Sequence, residues 1–170
     1  MDTEKVVEHI VSWLKTYAQE AHVNGFVVGI SGGIDSAVTS SLCAKTGFPV
    51  LCVEMPIHQG INEISRGKEL IEQLKKYHEN IHAVEINLSA TFDHFRTVVP
   101  SAEKTDVVNL SLANSRARLR MTTLYYFAGL HGYLVAGTGN KVEDFGIGFF
   151  TKYGDGGVDI SPIADLMKSE

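Results

Sequence analysis

The sequence predicts an α/β fold: a doubly wound parallel sheet with helices on both faces. Short apolar runs alternate with stretches of helical periodicity, and the runs are rich in β-branched residues. The 170 residues, 44% of them hydrophobic, suffice to bury one core, and no linker or repeat divides them. We therefore expect a single domain over residues 1–170.

The elements follow in order from the apolar pattern. Apolar residues at helical spacing predict helices at residues 2–21, 37–45, 62–78, 89–100 and 109–130, and the start of another at 162–170. Apolar runs predict strands at 26–30, 50–55, 83–88 and 133–137, with a fifth at 158–160, and polar or glycine-rich connections at 101–106 and 138–157. Phe26 and Trp13 are expected in the core. Because ligands bind at the carboxyl ends of parallel strands, the site is expected after strands one, two and four.

Composition excludes several classes of protein. The formal net charge of −5 argues against a chain that coats nucleic acid. Cys43 and Cys52 form no CxxC pattern, which is typical of a cytoplasmic protein in a reducing compartment. The amino terminus is charged and amphipathic, unlike a signal peptide, and the uncharged stretch 121–140 contains the glycines and polar residues of a turn. We therefore expect neither a membrane span nor a nucleic-acid partner.

One loop carries the strongest chemical signal. Residues 29–36 read GISGGIDS and join the first strand to the following helix. Gly32 and Gly33 let backbone N–H groups approach a ligand, and the helix amino terminus favours an anion such as pyrophosphate. Asp35 suits a Mg²⁺ ion that bridges carboxylate and phosphate oxygens. The alternative is a plain glycine turn in which Asp35 or Ser36 caps the helix.

Three other nucleotide or metal motifs do not fit. The loop has neither the lysine of a Walker motif nor the spacing of a dinucleotide fingerprint. Residues 78–82 read HENIH and match the zinc pattern HExxH, which requires both histidines on one helix face. Since Asn80 stands where the helix should end and His82 begins a strand, we do not expect zinc there.

Four blocks together resemble a known family. The loop resembles the PP-loop of ATP pyrophosphatases, and ARLRM at 117–121, GTGNKVE at 137–143 and FTKYGDGG at 150–157 are similar to ammonia-dependent NAD synthetases. The resemblance covers roughly residues 25–168 and implies an adenine-nucleotide alpha-hydrolase-like fold. It also implies a ligase that adenylates deamido-NAD with ATP, releases pyrophosphate, and then uses ammonia to form NAD and AMP.

The resemblance implies two groups of site residues. Those expected to bind ATP are Gly29, Ile30, Ser31, Gly32, Gly33, Ile34, Asp35, Ser36, Met55, Thr138 and Lys168. Asp35 and Glu143 match the Mg²⁺ ligands, and Asp35 and Lys168 the catalytic residues. Those expected to bind deamido-NAD are Asn114, Arg118, Lys152, Asp155 and Asp159. At helical pitch, Arg118 points nearly opposite Arg116 and Arg120, so the arginine triplet cannot serve one pocket.

The resemblance also implies an assembly and leaves alternatives. Family members are homodimers that bind the second substrate at the interface, and the amphipathic first helix and the helix 109–130 are the candidate surfaces. Members continue beyond the point where this sequence stops, so we expect a domain that is incomplete at its carboxyl end. The alternatives are another PP-loop enzyme, such as a GMP-synthetase-like or tRNA-modifying one, and a non-catalytic nucleotide-binding or dimerisation module.

Overall fold

A computed structural model describes residues 2–100, 105–146, 148 and 150–170 of the chain. The connection expected at 101–106 therefore lies largely outside the described residues, and the glycine-rich loop expected at 138–157 lies outside them at positions 147 and 149.

Four parallel strands form one sheet in the described part of the chain. They are β1 (Gly25–Ile30), β2 (Val50–Glu54), β3 (Ile81–Glu85) and β4 (Tyr133–Val135), in the order β3-β2-β1-β4. The chain thus moves outward from β1 through β2 to β3 and then returns to the other side of β1. This reversal confirms the doubly wound sheet and creates a crevice between the carboxyl ends of β1 and β4.

Helices cover both faces of the sheet. They are α1 (Thr3–Glu20), α2 (Ile34–Lys45), α3 (Ile61–Tyr77), α4 (Ser89–Val98), α5 (Asp106–His131) and α6 (Lys141–Phe145). Side chains alternate along β1, so that Phe26 and Val28 pack against α1, α2 and α3, whereas Val27 packs on the opposite face with α4 and α5. Two apolar layers therefore hold the sheet, and both are nearly closed to solvent at β1.

The predicted helices and strands are confirmed with shifts of a few residues, and four details are wrong. Residues 158–160 form no strand within the described part of the chain, only a bridge from Ile160 to Ala136. Backbone hydrogen bonds join Asp159 N to the Val135 carbonyl at 3.0 Å and Gly137 N to the Ile160 carbonyl at 2.8 Å, while the Asp159 side chain accepts the Val135 N–H at 2.8 Å, so the pairing is limited to one bridge. Trp13, expected in the core, is 40% exposed and lies against Tyr17 on α1.

The third error concerns the end of the chain, and the fourth concerns the glycine-rich loop. Residues 162–170 form turns instead of the expected helix start. The Leu166 carbonyl accepts a hydrogen bond from Lys141 N at 2.9 Å, and Glu170 Oε2 accepts one from Met167 N at 2.8 Å, so these groups serve other contacts than a helix ladder. The glycine-rich loop, conversely, contains the short helix α6, which the sequence analysis did not predict.

The two histidines of the HExxH match lie on different elements, as expected from the sequence. His78 lies at the end of α3 and His82 lies in β3, so the HExxH residues do not share a helix face. Across the described residues, no cluster of three or more His, Cys, Asp or Glu side chains could hold a metal ion. None of the described helices is long and apolar enough to cross a membrane.

Candidate nucleotide-binding site

The loop after β1 presents the open amino terminus of α2. Gly33, which has no side chain to cap the helix, directly precedes Ile34. Gly32 has a φ of +77°, and a Cβ there would lie 2.9 Å from the backbone N of Gly67 and 3.0 Å from Cβ of Arg66. Only glycine fits this turn against α3. The first N–H groups of α2 are therefore free of a side-chain cap and suited to an anion.

The two serines of the loop have different contacts. Ser36 is buried, and its hydroxyl donates to the Gly33 carbonyl at 3.0 Å. Ser31 Oγ accepts from Gly33 N–H at 3.2 Å and lies 3.3 Å from Ser36 Oγ. Ser36 thus shapes the loop from inside, whereas Ser31 also lines the neighbouring cavity.

A cavity of about 420 Å³ lies in the crevice between β1 and β4. This volume is within the usual range for small-molecule sites. The expected site residues on its wall are Gly29, Ile30, Ser31, Met55, Thr138, Glu143 and Asp155. The wall residues that the sequence analysis did not single out include Gln59, Arg120, Met121, Leu124 and Val158. The structure therefore brings the ends of β1, β2 and β4 together around one space, as expected from the topology.

Asp35, Glu143 and Lys168, here called the carboxylate–lysine cluster, meet beside this cavity. Lys168 Nζ lies 3.0 Å from Asp35 Oδ2 and 3.7 Å from Glu143 Oε1. The hydrogen bond to Asp35 and the charge of that carboxylate raise the pKa of Lys168. One cation therefore already contacts the two carboxylates that the sequence analysis assigned to Mg²⁺.

Asn140 holds this cluster in place. Its side chain is buried, with 2% exposed. The amide nitrogen donates to Asp35 Oδ1 at 3.3 Å, while the amide oxygen accepts from Val142 N at 3.0 Å and Glu143 N at 3.2 Å, which caps α6. Asn140 was not among the predicted site residues, although an Asn three residues before a Glu is a helix-start signal.

The donor set fits a Mg²⁺ ion held together with a nucleotide. Two carboxylates are too few for a cage made only of protein, but Mg²⁺ commonly binds one or two carboxylates and completes its shell with phosphate oxygens and water. Charge at the site points the same way. Burial, then the charges of Asp155 and Glu143, raise the pKa of the neighbouring Asp144. These three carboxylates would repel a triphosphate unless a cation lay between the carboxylates and the phosphate groups.

The residues expected to contact deamido-NAD, here called the second-substrate set, lie along α5 and the loop after α6. Thr151 links two of them: its hydroxyl donates to Asn114 Oδ1 at 2.9 Å, and its N–H donates to Asp155 Oδ1 at 3.0 Å and Oδ2 at 3.2 Å. Thr151 itself is buried. Asn114 and Asp155 therefore anchor the loop to α5, and only Asp155 borders the cavity.

The other three members also contact protein groups. Arg118 Nε donates to the Lys152 carbonyl at 3.1 Å, and the Lys152 ammonium lies 4.9 Å from the centre of the Tyr153 ring. Asp159 Oδ1 accepts from the Tyr125 hydroxyl at 2.9 Å. Burial, and then this carboxylate, raise the pKa of Tyr125 to about 12. Arg118, Lys152 and Asp159 do not border the cavity that the described residues enclose.

The arginine triplet of α5 separates as expected from helical pitch. Arg116 lies over the Phe92 ring, 5.3 Å from its centre, and Arg118 contacts the Lys152 carbonyl. Arg120 Nε donates to the Met55 carbonyl at 3.0 Å and borders the cavity. Arg120 is therefore the cationic wall residue that the sequence analysis missed. Its helical pitch separated it from Arg118 but did not show which of the two faced the cavity.

Comparison with known proteins gives consistent matches. A family model described as NAD synthase matches residues 6–170. The NH(3)-dependent NAD(+) synthetase of Mesoplasma florum is 41% identical over 172 residues, covering 100% of this chain and 67% of that protein. The enzyme of the same name from Carboxydothermus hydrogenoformans is 40% identical over 169 residues, covering 98% of this chain and 67% of that protein. The chain spans about two thirds of the length of these relatives.

Solved structures share the fold over nearly the whole chain. A structure described as NMN synthetase from Francisella tularensis has a TM-score of 0.87 and 35% identity, covering 99% of this chain and 67% of that chain. The NH3-dependent NAD synthetase from Campylobacter jejuni, in complex with the nitrate ion, has a TM-score of 0.87 and 32% identity, covering 100% and 70%. These matches confirm the PP-loop α/β fold and the family resemblance. The chain belongs to the NAD synthase family.

Proposed function

We propose that this protein binds ATP in the cavity between β1 and β4 and uses it to amidate deamido-NAD with ammonia. The observation that carries the proposal is that one cavity is lined both by Ser31, in the loop that leads to the uncapped start of α2, and by Glu143 of the carboxylate–lysine cluster. The first can bind phosphate, and the second can hold the cation that phosphate requires. The names of the relatives supply the reaction.

Different residues are proposed to bind different parts of ATP. The backbone of Gly32, Gly33 and Ile34 receives phosphate oxygens at the start of α2, with Ser31 and Ser36 shaping that turn. Gly29, Ile30, Met55 and Thr138 form the wall that accommodates the rest of the nucleotide. Asp35 and Glu143 would hold Mg²⁺, which neutralises phosphate charge when bound. Lys168 then stabilises the negative charge of the departing pyrophosphate.

The chemistry needs no protein nucleophile. A carboxylate oxygen of the nicotinate ring attacks the α-phosphorus of ATP, the bond to pyrophosphate breaks, and an acyl adenylate remains. The nitrogen of ammonia attacks the activated carbonyl carbon, the bond to AMP breaks, and the nitrogen loses a proton. The protein contributes position and charge stabilisation.

The cysteines support this choice over a thiolating PP-loop enzyme. Cys43 and Cys52 are both buried and reduced. Burial raises the pKa of the Cys43 thiol, and burial is also the largest cause that raises the pKa of Cys52 to about 12. Neither thiol ionises near neutral pH, so neither is a suitable sulfur nucleophile. The same reduced state suits the cytoplasmic setting that we propose.

The proposal also places the second substrate and a second subunit. Asn114, Arg118, Lys152, Asp155 and Asp159 are proposed to contact deamido-NAD, with the exposed cations Arg118 and Lys152 facing its phosphates. A homodimer would cover the exposed aromatic and aliphatic side chains of α1 and α5: Trp13, Tyr17, Tyr125, Tyr126 and Leu130. Residues 1–170 would then form the ATP-binding domain of each subunit.

The test is pyrophosphate release with matched acceptors. With ATP, Mg²⁺ and ammonium, the protein should release pyrophosphate and form AMP in the presence of deamido-NAD. Because one similar structure is described as an NMN synthetase, the mononucleotide acid that yields NMN is assayed in parallel. Release with xanthosine monophosphate but not with deamido-NAD would identify a GMP-synthetase-like enzyme instead. No release with any acceptor would leave a nucleotide-binding module.

A further inference from the structure

The connection from β2 to α3, here called the β2–α3 loop, forms part of the wall of the proposed ATP cavity. It runs over residues 55–60, and Met55 and Gln59 line the cavity. Between these two residues, Ile57 is buried, whereas His58 is exposed. The place of Gln59 on the wall therefore depends on the backbone of the residue just before it.

His58 has a backbone conformation that is rare for a residue with a side chain. Its φ is +52°, in the left-handed region that glycine adopts freely and that other residues adopt only where surrounding contacts hold them. Gly60, two residues later, has a φ of −68°, so the glycine of this loop does not supply the left-handed turn. A histidine occupies the strained position instead, which points to a role for its side chain.

Two hydrogen bonds hold His58 against α4. Its backbone N–H donates to Ser89 Oγ at 3.1 Å, and its ring Nε2 lies 2.9 Å from Asp93 Oδ1. Because a carboxylate only accepts, Nε2 donates in this bond, and both the neutral and the charged ring can supply the proton. Ser89 and Asp93 stand one helical turn apart on α4. The two bonds therefore fix both the backbone and the ring of His58.

The α4 helix is itself a fixed support. Phe92 is buried, with 2% exposed, and the guanidinium of Arg116 on α5 lies 5.3 Å from the centre of its ring. Just before α4, the Leu88 N–H donates to the Pro56 carbonyl at 2.9 Å. The β2–α3 loop is thus bonded to a helix that packs into the core, and His58 makes the last of these bonds before Gln59.

We propose that His58 is a positioning residue for ATP binding, which holds the β2–α3 loop against α4 so that Gln59 keeps its place on the cavity wall. The inference rests on the proposed function, because it takes ATP as the ligand of that cavity. A wall that is already in place need not be ordered when the ligand arrives, and this lowers the cost of binding. The side chains of His58 and Asp93 are 54% and 50% exposed, so their pair adds little to stability and its effect falls on binding.

The test separates the strained turn from the side chain with two substitutions at one position. His58→Gly adopts the positive φ freely but loses the ring, so its melting temperature should stay close to or above that of the wild type. Its Kd for Mg²⁺-ATP, measured by isothermal titration calorimetry, should rise about threefold to tenfold. His58→Gln places an amide N–H near the position of Nε2 and should recover most of that affinity. In steady-state assays, the KM for ATP should rise in His58→Gly while kcat stays within about twofold.

A second substitution removes the other partner and leaves the loop sequence intact. Asp93→Ala should weaken Mg²⁺-ATP binding about as much as His58→Gly, and the double variant should be no weaker than either one, because both remove the same contact. It also keeps the inference testable if His58→Gly does not fold. His94→Ala is the matched control, since His94 is an exposed histidine on the same helix, and it should leave the Kd unchanged.

The outcomes separate this inference from the proposed function. Wild-type affinity for Mg²⁺-ATP in either His58→Gly or Asp93→Ala overturns the positioning role. A loss of affinity that parallels an equal loss of thermal stability, or that His58→Gln does not reverse, overturns it as well, because it would show a structural contact only. If the wild type itself does not bind Mg²⁺-ATP, the proposed function fails and takes the inference with it.

Discussion

The carboxylate–lysine cluster and the second-substrate set differ in what their polar atoms do. In the cluster, the carboxylates of Asp35 and Glu143 both lie near the side-chain nitrogen of Lys168. That lysine side chain is exposed and can move away. In the second-substrate set, the Asp159 carboxylate accepts from Tyr125 and from the Val135 backbone, and Asp155 accepts from Thr151. The charged groups of the first region are paired with one another through an exposed side chain, whereas those of the second are bonded to the surrounding protein scaffold.

The largest effect is expected when the cluster loses its central carboxylate. Asp35→Ala should reduce pyrophosphate release at least about a hundredfold, because removal of a group that organises transition-state charge typically costs that much. The melting temperature should change little, since Asp35 stands in the first turn of α2 and its contacts are polar ones at the site edge. Steady-state assay and thermal unfolding measure the two quantities on the same sample.

Asp165→Ala is the matched control for this comparison, because Asp165 is an exposed carboxylate three residues before Lys168 of the cluster. It should leave both activity and melting temperature close to those of the wild type. If Asp35→Ala unfolds the protein to the same degree that it reduces activity, Asp35 is a structural residue and the cluster loses its assigned role.

A smaller effect is expected at Asn140, which supports the cluster without contacting substrate. Asn140→Ala removes the α6 cap and the hydrogen bond to Asp35. The free energy of unfolding should fall by about 1–2 kcal/mol, and the affinity for Mg²⁺-ATP should fall about tenfold, as for residues that orient metal ligands. Asn140→Ser keeps an oxygen that can cap α6 but is too short to donate a hydrogen bond to Asp35. It should therefore recover stability without recovering nucleotide affinity, and equal recovery of both would refute the positioning role.

The sequence was sufficient for the sheet because its two central strands, β1 and β2, are apolar runs that are buried along nearly their whole length. It was also sufficient for the phosphate loop, since the adjacent glycines mark a turn and Gly32 has a φ of +77°, which few other residues adopt. Contacts between remote segments could not be predicted in the same way. The Lys168–Asp35 pair and the Arg120–Met55 bond join segments far apart in the chain, and neither leaves a local pattern. Asn140 does have a local pattern, that of a helix cap, but the segment around it was predicted as a glycine-rich loop.

The errors at the carboxyl end have one physical cause. The apolar pattern predicted a strand at 158–160 and a helix start at 162–170 because such a pattern assumes regular backbone hydrogen bonding within a helix or a sheet. In the structure, side chains and remote backbone groups take those positions: Asp159 receives the Val135 N–H, and Lys141 donates to the Leu166 carbonyl. This segment is held by tertiary contacts, so local sequence was a poor guide to it.

A moderate effect on stability is expected at Asp159, which tests the other side of the comparison. Asp159→Ala leaves the Val135 N–H and the Tyr125 hydroxyl without their acceptor, which should cost about 1–3 kcal/mol of unfolding free energy. Asp159→Asn keeps an acceptor of the same shape and should recover most of that loss. Denaturant unfolding measures stability, and any rise in the KM for deamido-NAD that persists in Asp159→Asn reports a direct contact. A fully stable Asp159→Ala would contradict the scaffold role.

The smallest effect is expected at high pH and comes from Tyr125. Its pKa is raised to about 12 in the folded state, by burial and then by Asp159, against an ordinary value near 10. Folding therefore favours the protonated phenol, and the stability that it contributes is complete below pH 10 and is lost as the pH rises towards 12. Tyr125→Phe should lower the free energy of unfolding at neutral pH by about 0.5–1 kcal/mol, the usual net value of one hydrogen bond, and should lack this alkaline loss.

Tyr126→Phe is the control, because that neighbouring side chain is 64% exposed. Urea unfolding at a series of pH values compares the three proteins. If the wild type and Tyr125→Phe lose stability in parallel between pH 10 and 12, the Tyr125–Asp159 hydrogen bond does not hold the second-substrate set to its scaffold.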